Sequence, residues 1–567
     1  SLRNTYKYDI YLLLIQMNNF IFLIFYLASY LCGKSLFILI VKNNKFSKNK
    51  IDRFEDINNY IHNLYPLFSI FALGNLVLLL NFFTPIKEVL LLIFGFFIIL
   101  FIYGIFELYK TKLKDFNLVN QIFIPLVISI SSYGIKFHYD AGAYHLNYQN
   151  WIYNSKINFG LSNLNPYYSY GSIQEYSASV FKYFNNNLIN YFIELVFFVS
   201  FFGFIFSLLK LSENLFLKNS SLFVLIYLFL DNFGYKGGGN GALQIQMVGK
   251  PDTAVGILWI IITLLIINEL IKKHTNQLNF SIILVLCIFA FQLKSNAGPL
   301  VILLLFYFLT FRKKLNLFSK FNFYLYFLSI SYLIKNFIIS GCFLYPINLT
   351  CLVNVSWLNF NHIEESTYIT LRDNQRFMLG NNFFEWFNNF ISHAYNLQIY
   401  TNFIFSLFII FLFKILFFKT IIKNKHLKLN YCFFLLINYL LFFFTVPVFR
   451  NAYGLFLSTL LIFTIDEIEY KNNFTFLFNK ITFFLLMLFT LLLFPRFFMY
   501  SEALNNNFQY KDFDIEKVTY NSSFKGYVVP IESNQCWYKL NCLLPTSSIK
   551  KIYSYEKWGY QFFTSSS

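Results

Sequence analysis

The side chains best suited to chemistry lie in one polar stretch, FHYDAGAYHLNYQNWIYNSKINFGLSNLNPYYSYGSIQEYSASVF, residues 137–181. Asp140, Tyr144, Tyr148 and Trp151 recur at helical spacing, so a helix here carries a carboxylate in line with an aromatic stripe suited to the membrane interface. A carboxylate at a membrane rim is costly to hold without a use; Asp140 there can take a proton from an acceptor hydroxyl or bind a metal near a phosphate. It also opens the helix and can serve as its N-cap. His138 and His145 flank it, and each can contact a substrate, ligate a metal beside Asp140 or hydrogen-bond a neighbour. Ser172-Ile-Gln-Glu175 matches a capping box opening a second amphipathic helix, with Ile173, Tyr176, Val180 and Phe184 on one face, and the cap suffices to explain Glu175.

Isolated charges stand at three other helix mouths: Lys250 and Asp252 in VGKPDTAVG, Lys294 in FQLKSNAG and Arg450 in VPVFRNAYG. Pro251 suits the first turn of a helix whose N-terminal amides, with Lys250, attract a phosphate. Lys294 and Arg450 can grip a diphosphate in the same cavity, Arg450 by paired hydrogen bonds, or all three cations can anchor helix ends by snorkelling. The run Gly237-Gly-Gly-Asn-Gly241 lacks the Lys-Ser/Thr and the preceding strand of a phosphate loop.

The elements that position these residues are membrane helices. Of 567 residues only 13% are charged and 57% are hydrophobic, and apolar runs recur from end to end, which excludes a soluble multidomain protein. The abundance of Phe, Ile and Asn reflects an AT-rich coding bias rather than function. The fold expected is an all-α polytopic integral membrane protein of about 14 transmembrane helices. Spans are placed at 10–41, 62–83, 87–109, 119–136, 188–209, 220–232, 253–271, 279–293, 297–311, 321–340, 399–418, 429–447, 452–466 and 479–495. The chain begins Ser-Leu-Arg without Met, which reads as an incomplete frame, and its first apolar run is too long for a cleavable signal peptide.

Net charge +18 comes from clusters between the runs, Lys42 to Arg53, Lys110 to Lys114, Lys272-Lys273, Arg312 to Lys314 and Lys419 to Lys428, which orient helices and make nucleic acid an unlikely partner beside the lipid bilayer. All fall on the cytoplasmic side. The outer side receives loops 137–187 and 341–398, the first with interfacial helices and the second with Arg372 and Arg376, and a small C-terminal tail. The division expected is therefore 1–496, transmembrane, and 497–567, an outer cap folded over the Asp140 loop. Cys536 and Cys542 are spaced for a disulfide in an oxidising compartment, Cys342 and Cys351 less firmly so, and unpaired thiols are the alternative.

The segments YDAGAYHLNYQNWI, GLSNLNPYYSYGSIQEYSAS, KPDTAVG, FQLKSNAGPL, SGCFLYPINLTC, FRNAYG and QCWYKLNCLLP resemble a family of bacterial multi-pass membrane proteins, which is in turn similar to the GT-C superfamily of glycosyltransferases. That resemblance implies an inverting transferase that takes a sugar from a polyprenyl-phosphate carrier and passes it to a glycan or lipid acceptor on the outer face of the bacterial inner membrane. Asp140 matches the superfamily's base, although it follows about the fourth span rather than the first. Ala141 and Gly142 replace the acidic neighbours common in that loop, so no metal ligand set is expected and no cofactor is required, a divalent metal being the alternative. The substrate-binding set is then His138, Tyr144, His145, Lys250, Asp252, Lys294 and Arg450. A transporter or flippase of lipid-linked sugars, or a polysaccharide polymerase or ligase, would use similar features; the lack of an internal repeat argues against transport.

Overall fold

A computed structural model describes residues 2–43, 60–111, 116–131, 139–184, 189–211, 214–233, 248, 250–361, 363–364, 366–367, 383–421, 423–445, 447–470, 519–522, 527–531, 535–543 and 552–565. The body is helical: α1 (Leu2–Asn43), α2 (Tyr65–Asn81), α3 (Leu90–Lys110), α4 (Ile124–Ser131), α5 (Leu146–Asn154), α6 (Ile173–Ser179), α7 (Ile189–Leu211), α8 (Leu215–Asp231), α9 (Asp252–Lys272), α10 (Gln277–Leu293), α11 (Leu300–Phe311), α12 (Lys320–Ser340), α13 (Phe383–Ser392), α14 (Ala394–Phe417), α15 (Lys425–Phe444) and α16 (Tyr453–Thr459). Among the described residues three two-stranded antiparallel ribbons, outside the all-α expectation, pair β1 (Phe418–Ile421) with β2 (Glu467–Tyr470), β3 (Tyr520–Ser522) with β4 (Val528–Pro530) and β5 (Ile552–Lys557) with β6 (Tyr560–Ser565).

Among the described residues eight helices are long and apolar enough to cross a membrane, and four shorter apolar helices accompany them, at Val119–Ile130, Gln277–Leu293, Ser295–Phe311 and Phe449–Phe463. By length and composition this is a membrane protein. The span expected at 479–495, like His138, the Gly237–Gly241 run, Arg372 and Arg376, lies outside the described residues.

Local signals start and stop the helices. Asn214, Asn276 and Ser319 accept backbone amide hydrogen bonds at the starts of α8, α10 and α12. Gly341, at φ 82°, ends α12 in a left-handed turn. The core is formed by α7 and α9, whose apolar windows are 100% and 94% buried, whereas α3, α14 and α15 are only 28% buried and turn Leu91, Ile99, Phe405 and Phe433 outward, as lipid-facing helices do. Amides join neighbours inside: Asn75 and Gln292 exchange hydrogen bonds of 3.0 and 2.9 Å.

Helix ends fall into two groups. At one end Asn63, before α2, meets Ser207 near the end of α7, Asn214 meets Asn268 near the end of α9, and Lys42 pairs with Glu107 at 3.1 Å. Lys110, Lys210, Lys272 and the β1–β2 ribbon belong to this end. At the other, Asn81 closes α2 by donating to the Ile152 and Ser155 carbonyls, and Gly160 donates to the Ile338 carbonyl of α12. Asp140, Lys250, Lys294, Arg450 and the C-terminal ribbons gather here.

The stretch after Asp140 is not a stripe laid on the membrane surface. Tyr148 and Trp151 are 2% and 5% exposed, and α6 is buried along its whole length. Tyr148 packs on Tyr168 and bonds to the Tyr176 hydroxyl, and α6 lies against α2, where Ser177 donates to the Ile70 carbonyl; the chain's own tail covers the other side, with Trp151 against Phe563 and Asn147 and Asn150 donating to the carbonyls of Lys539 and Tyr538. Buried aromatic surface is removed from lipid and water alike, so the stripe serves as core.

Candidate functional site

Asp140 stands immediately before a five-residue π turn, Ala141–His145, that leads into α5. Turns of this kind close hydrogen bonds five residues apart and shift the register of the side chains that follow. Its side chain makes no capping bond to that turn. One carboxylate oxygen, Oδ2, instead lies 3.1 Å from Lys250 Nζ.

Four connections converge on this point. Lys250 precedes Pro251 and α9; Asp252 is the first residue of α9; Lys294 follows α10; Arg450 and Asn451 lie in the 3-10 turn Phe449–Ala452 before α16. Asp252 Oδ1 accepts from Lys294 Nζ, and its Oδ2 lies 3.9 Å from Arg450 Nε. Lys294 also donates to Asn451 Oδ1 at 2.8 Å, and Asn296 fixes the same turn through the Asn451 carbonyl at 2.7 Å. Asp252 therefore aims two cations that belong to different connections.

Exposure divides the group into a floor and a rim. Lys250 and Asp252 are 6% and 3% exposed, whereas Asp140, Lys294 and Arg450 reach solvent at 26%, 36% and 37%. Three cations face two carboxylates, leaving one positive charge in excess, and a ligand arriving from outside meets a carboxylate beside two cations. Burial above all, then the Arg450 charge, lowers Lys250 from its ordinary 10.5 to about 8, with Asp140 and Asp252 pulling the other way. Tyr144 is held well above its ordinary value by burial and by the carboxylates of Asp140, Glu175 and Asp252, so it is a neutral hydroxyl.

A second pair lies behind the first. His145 Nδ1 is 2.6 Å from Glu175 Oε1, while Glu175 Oε2 accepts the Ser172 amide at 2.6 Å. Glu175 thus closes the capping box and holds His145 with its other oxygen. Sequence reading passed over Glu194, which accepts from Gln174 at 3.0 Å, and Lys335, which donates to the Gly171 carbonyl at 2.8 Å. The signal was available: YFIELVFF and YLIKNFII each carry one charge in an apolar run, which marks an interior polar position. Among the described residues no three His, Cys, Asp or Glu side chains converge as a metal site, His145 being turned to Glu175.

The tail roofs this region. Trp537 donates its backbone amide to the Gly142 carbonyl at 2.7 Å and lies with its ring against Gly142, 2% exposed. It sits inside the small loop closed by a disulfide between Cys536 and Cys542; Cys342 and Cys351 form a second disulfide after α12. Lys182 places its ammonium 3.6 Å from the centre of the Tyr538 ring.

A family model described as Domain of unknown function (DUF8201) matches residues 12–457. The chain belongs to that family. The matched stretch contains Asp140, Lys250, Asp252, Lys294 and Arg450, whereas the tail residues over Gly142 lie beyond it. No curated protein and no solved structure matches the chain.

Proposed function

We propose that the chain is a GT-C-like inverting glycosyltransferase of the bacterial inner membrane, moving a sugar from a polyprenyl-phosphate carrier to a cell-envelope glycan or lipid acceptor on the outer side. The observation that carries this reading is the solvent-reaching carboxylate of Asp140 set beside Lys250, in a cluster where Lys294 and Arg450 also reach solvent. That is the pairing a displacement from phosphate requires. In it the acceptor oxygen attacks the anomeric carbon, the carbon–oxygen bond to phosphate breaks, polyprenyl phosphate leaves with the electron pair, and Asp140 takes the acceptor proton. Attack opposite the leaving phosphate inverts the centre.

Lys250, Lys294 and Arg450 neutralise charge growing on the leaving phosphate, and Asp252 is a positioning residue that keeps the last two aimed. Tyr144, a neutral hydroxyl beside Asp140, can contact the acceptor, whereas His145, buried against Glu175, holds the turn from behind. The charges stand where α9 begins and α10 ends, at the mouth of the bundle rather than half-way across it, which favours surface transfer over transport.

The test is label transfer by the purified chain in lipid vesicles, using a panel of polyprenyl-phospho-sugars with envelope glycan as acceptor. Label in the acceptor, with inverted linkage, is expected. Label that stays on the polyprenyl carrier for every donor, or that only crosses the vesicle wall, removes the reading.

A further inference from the structure

The C-terminal ribbon ends in a two-residue turn, because Lys557 pairs with Tyr560 across Trp558 and Gly559. Both turn residues have positive φ, 56° and 72°. Hairpins favour this mirror-image turn, but its first position suits Asn, Asp or Gly. Trp is costly there on backbone grounds, and little packing compensates: the ring meets Phe562 at 6.4 Å and the Lys557 ammonium at 4.3 Å but is 75% exposed. A bulky residue held in a strained conformation and displayed to solvent is a marker of use rather than of folding.

Beside the turn lies a cavity of about 550 Å³ between the ribbon and the segment after α5; its lining includes Ser155, Lys156, Asn158, Tyr555, Glu556 and Gln561. Tyr555 is the outer ring of a stack, 5.1 Å from Phe562, which is 4.4 Å from Phe159, with both pairs nearly parallel. Tyr560, on the opposite strand, is anchored by its hydroxyl to the Phe82 carbonyl at 2.7 Å and lies under the Lys156 ammonium. The walls are thus fixed before any ligand arrives.

Aromatic rings here adjoin amide, hydroxyl, carboxylate and ammonium groups, so the lining offers donors and acceptors together. Lys156 and Glu556 balance each other, which leaves no surplus charge for a phosphate. A ligand rich in hydroxyls with apolar C–H faces meets all these features, and a sugar ring is that ligand. We propose that this groove binds an oligosaccharide chain, a site separate from the Asp140 cluster. Fifteen residues of mostly helical chain separate Asp140 from Ser155, roughly 20 Å, so a glycan held here by its inner rings can extend its end toward Asp140. That last placement rests on the transferase reading; the binding itself does not.

The experiment measures retention of the full chain, in detergent, on an array of immobilised oligosaccharides with neutral-hexose, hexosamine and uronic-acid backbones. Wild type should be retained on at least one backbone. Trp558→Asn, which relieves the turn, and Tyr555→Ala should bind about tenfold more weakly, while Leu349→Ala, an exposed loop residue outside the groove, binds as wild type. Because Trp558→Asn suits the turn, lost binding with a melting temperature at or above that of wild type reports the site and not the fold. No retention on any backbone, or equal retention by both groove variants, overturns the proposal. Groove-dependent binding without sugar transfer from any donor leaves the glycan site standing and removes the transferase; transfer with groove-independent binding does the reverse.

Discussion

Asp140 Oδ2 lies 3.1 Å from Lys250 Nζ, joining two residues 110 positions apart at the mouth of the helical bundle. The ammonium is almost wholly enclosed and the carboxylate is not, so the pair presents its acidic member to an arriving molecule.

Lys250 gives the cluster a pH signature. It is lowered to about 8 by burial and by Arg450, against the opposing pull of Asp140 and Asp252, so its charge is lost as pH rises through that value. Donor KM should therefore rise above about pH 8, and Lys250→Arg, which stays charged, should keep the low KM to higher pH. Stability has the opposite sign. Between about 8 and the ordinary 10.5 the unfolded chain holds a proton at Lys250 that the folded chain does not, so this residue's contribution becomes more favourable as pH rises through that window. Melting curves and KM measured over the same range check both signs.

Asp252→Asn keeps the size of the side chain and removes the charge that holds Lys294 and Arg450. Breaking a buried pair costs about 3–5 kcal/mol, but both cations reach solvent, so a loss on the order of 2 kcal/mol is expected. Donor KM should rise more than kcat falls, since the residue aims groups that bind. Thermal unfolding and steady-state kinetics read the two effects separately.

Gly142→Ala should lift the tail. A methyl group there meets Trp537 Cε2 at 2.6 Å, with the ring enclosed and unable to retreat. Amide exchange at residues 535–543 should speed up, while exchange in α7 and α9 stays as in wild type.

The tail also reports which side it occupies. Cys536 and Cys542 are six residues apart, and closing so small a loop contributes about 2 kcal/mol. Peptide mapping of protein taken from membranes without reductant should recover them joined, and the Cys536→Ser, Cys542→Ser double variant should be cut faster by protease in this segment. Free thiols at both positions would place the tail in a reducing compartment.

Much of this architecture is legible in the sequence because membrane helices declare themselves residue by residue. The long apolar runs, the Ser172–Glu175 capping box and the lone cations before or after helices all carry local signals, and the structure brings Lys250, Lys294 and Arg450 together with the two aspartates. Pairing is another matter: nothing local says that Asp140 meets Lys250 or that Lys294 meets Asn451. The π turn escaped notice because AGAYH fits an ordinary helix equally well. Burial of Trp151 was hidden because Phe563, which covers it, comes about 400 positions later, and the last ribbon because YSYEKWGYQFF is too short and polar to show clean alternation. Glu194 and Lys335 were visible as single charges in apolar runs.

The most direct measurement of the central claim compares wild type and Asp140→Asn for transfer of labelled sugar from polyprenyl phosphate, with donor binding measured on the same preparations. The amide keeps the side chain's shape but cannot accept the acceptor's proton. The account predicts a fall in transfer rate of about 10²–10⁴-fold with donor binding retained. Transfer by Asp140→Asn at the wild-type rate would contradict it.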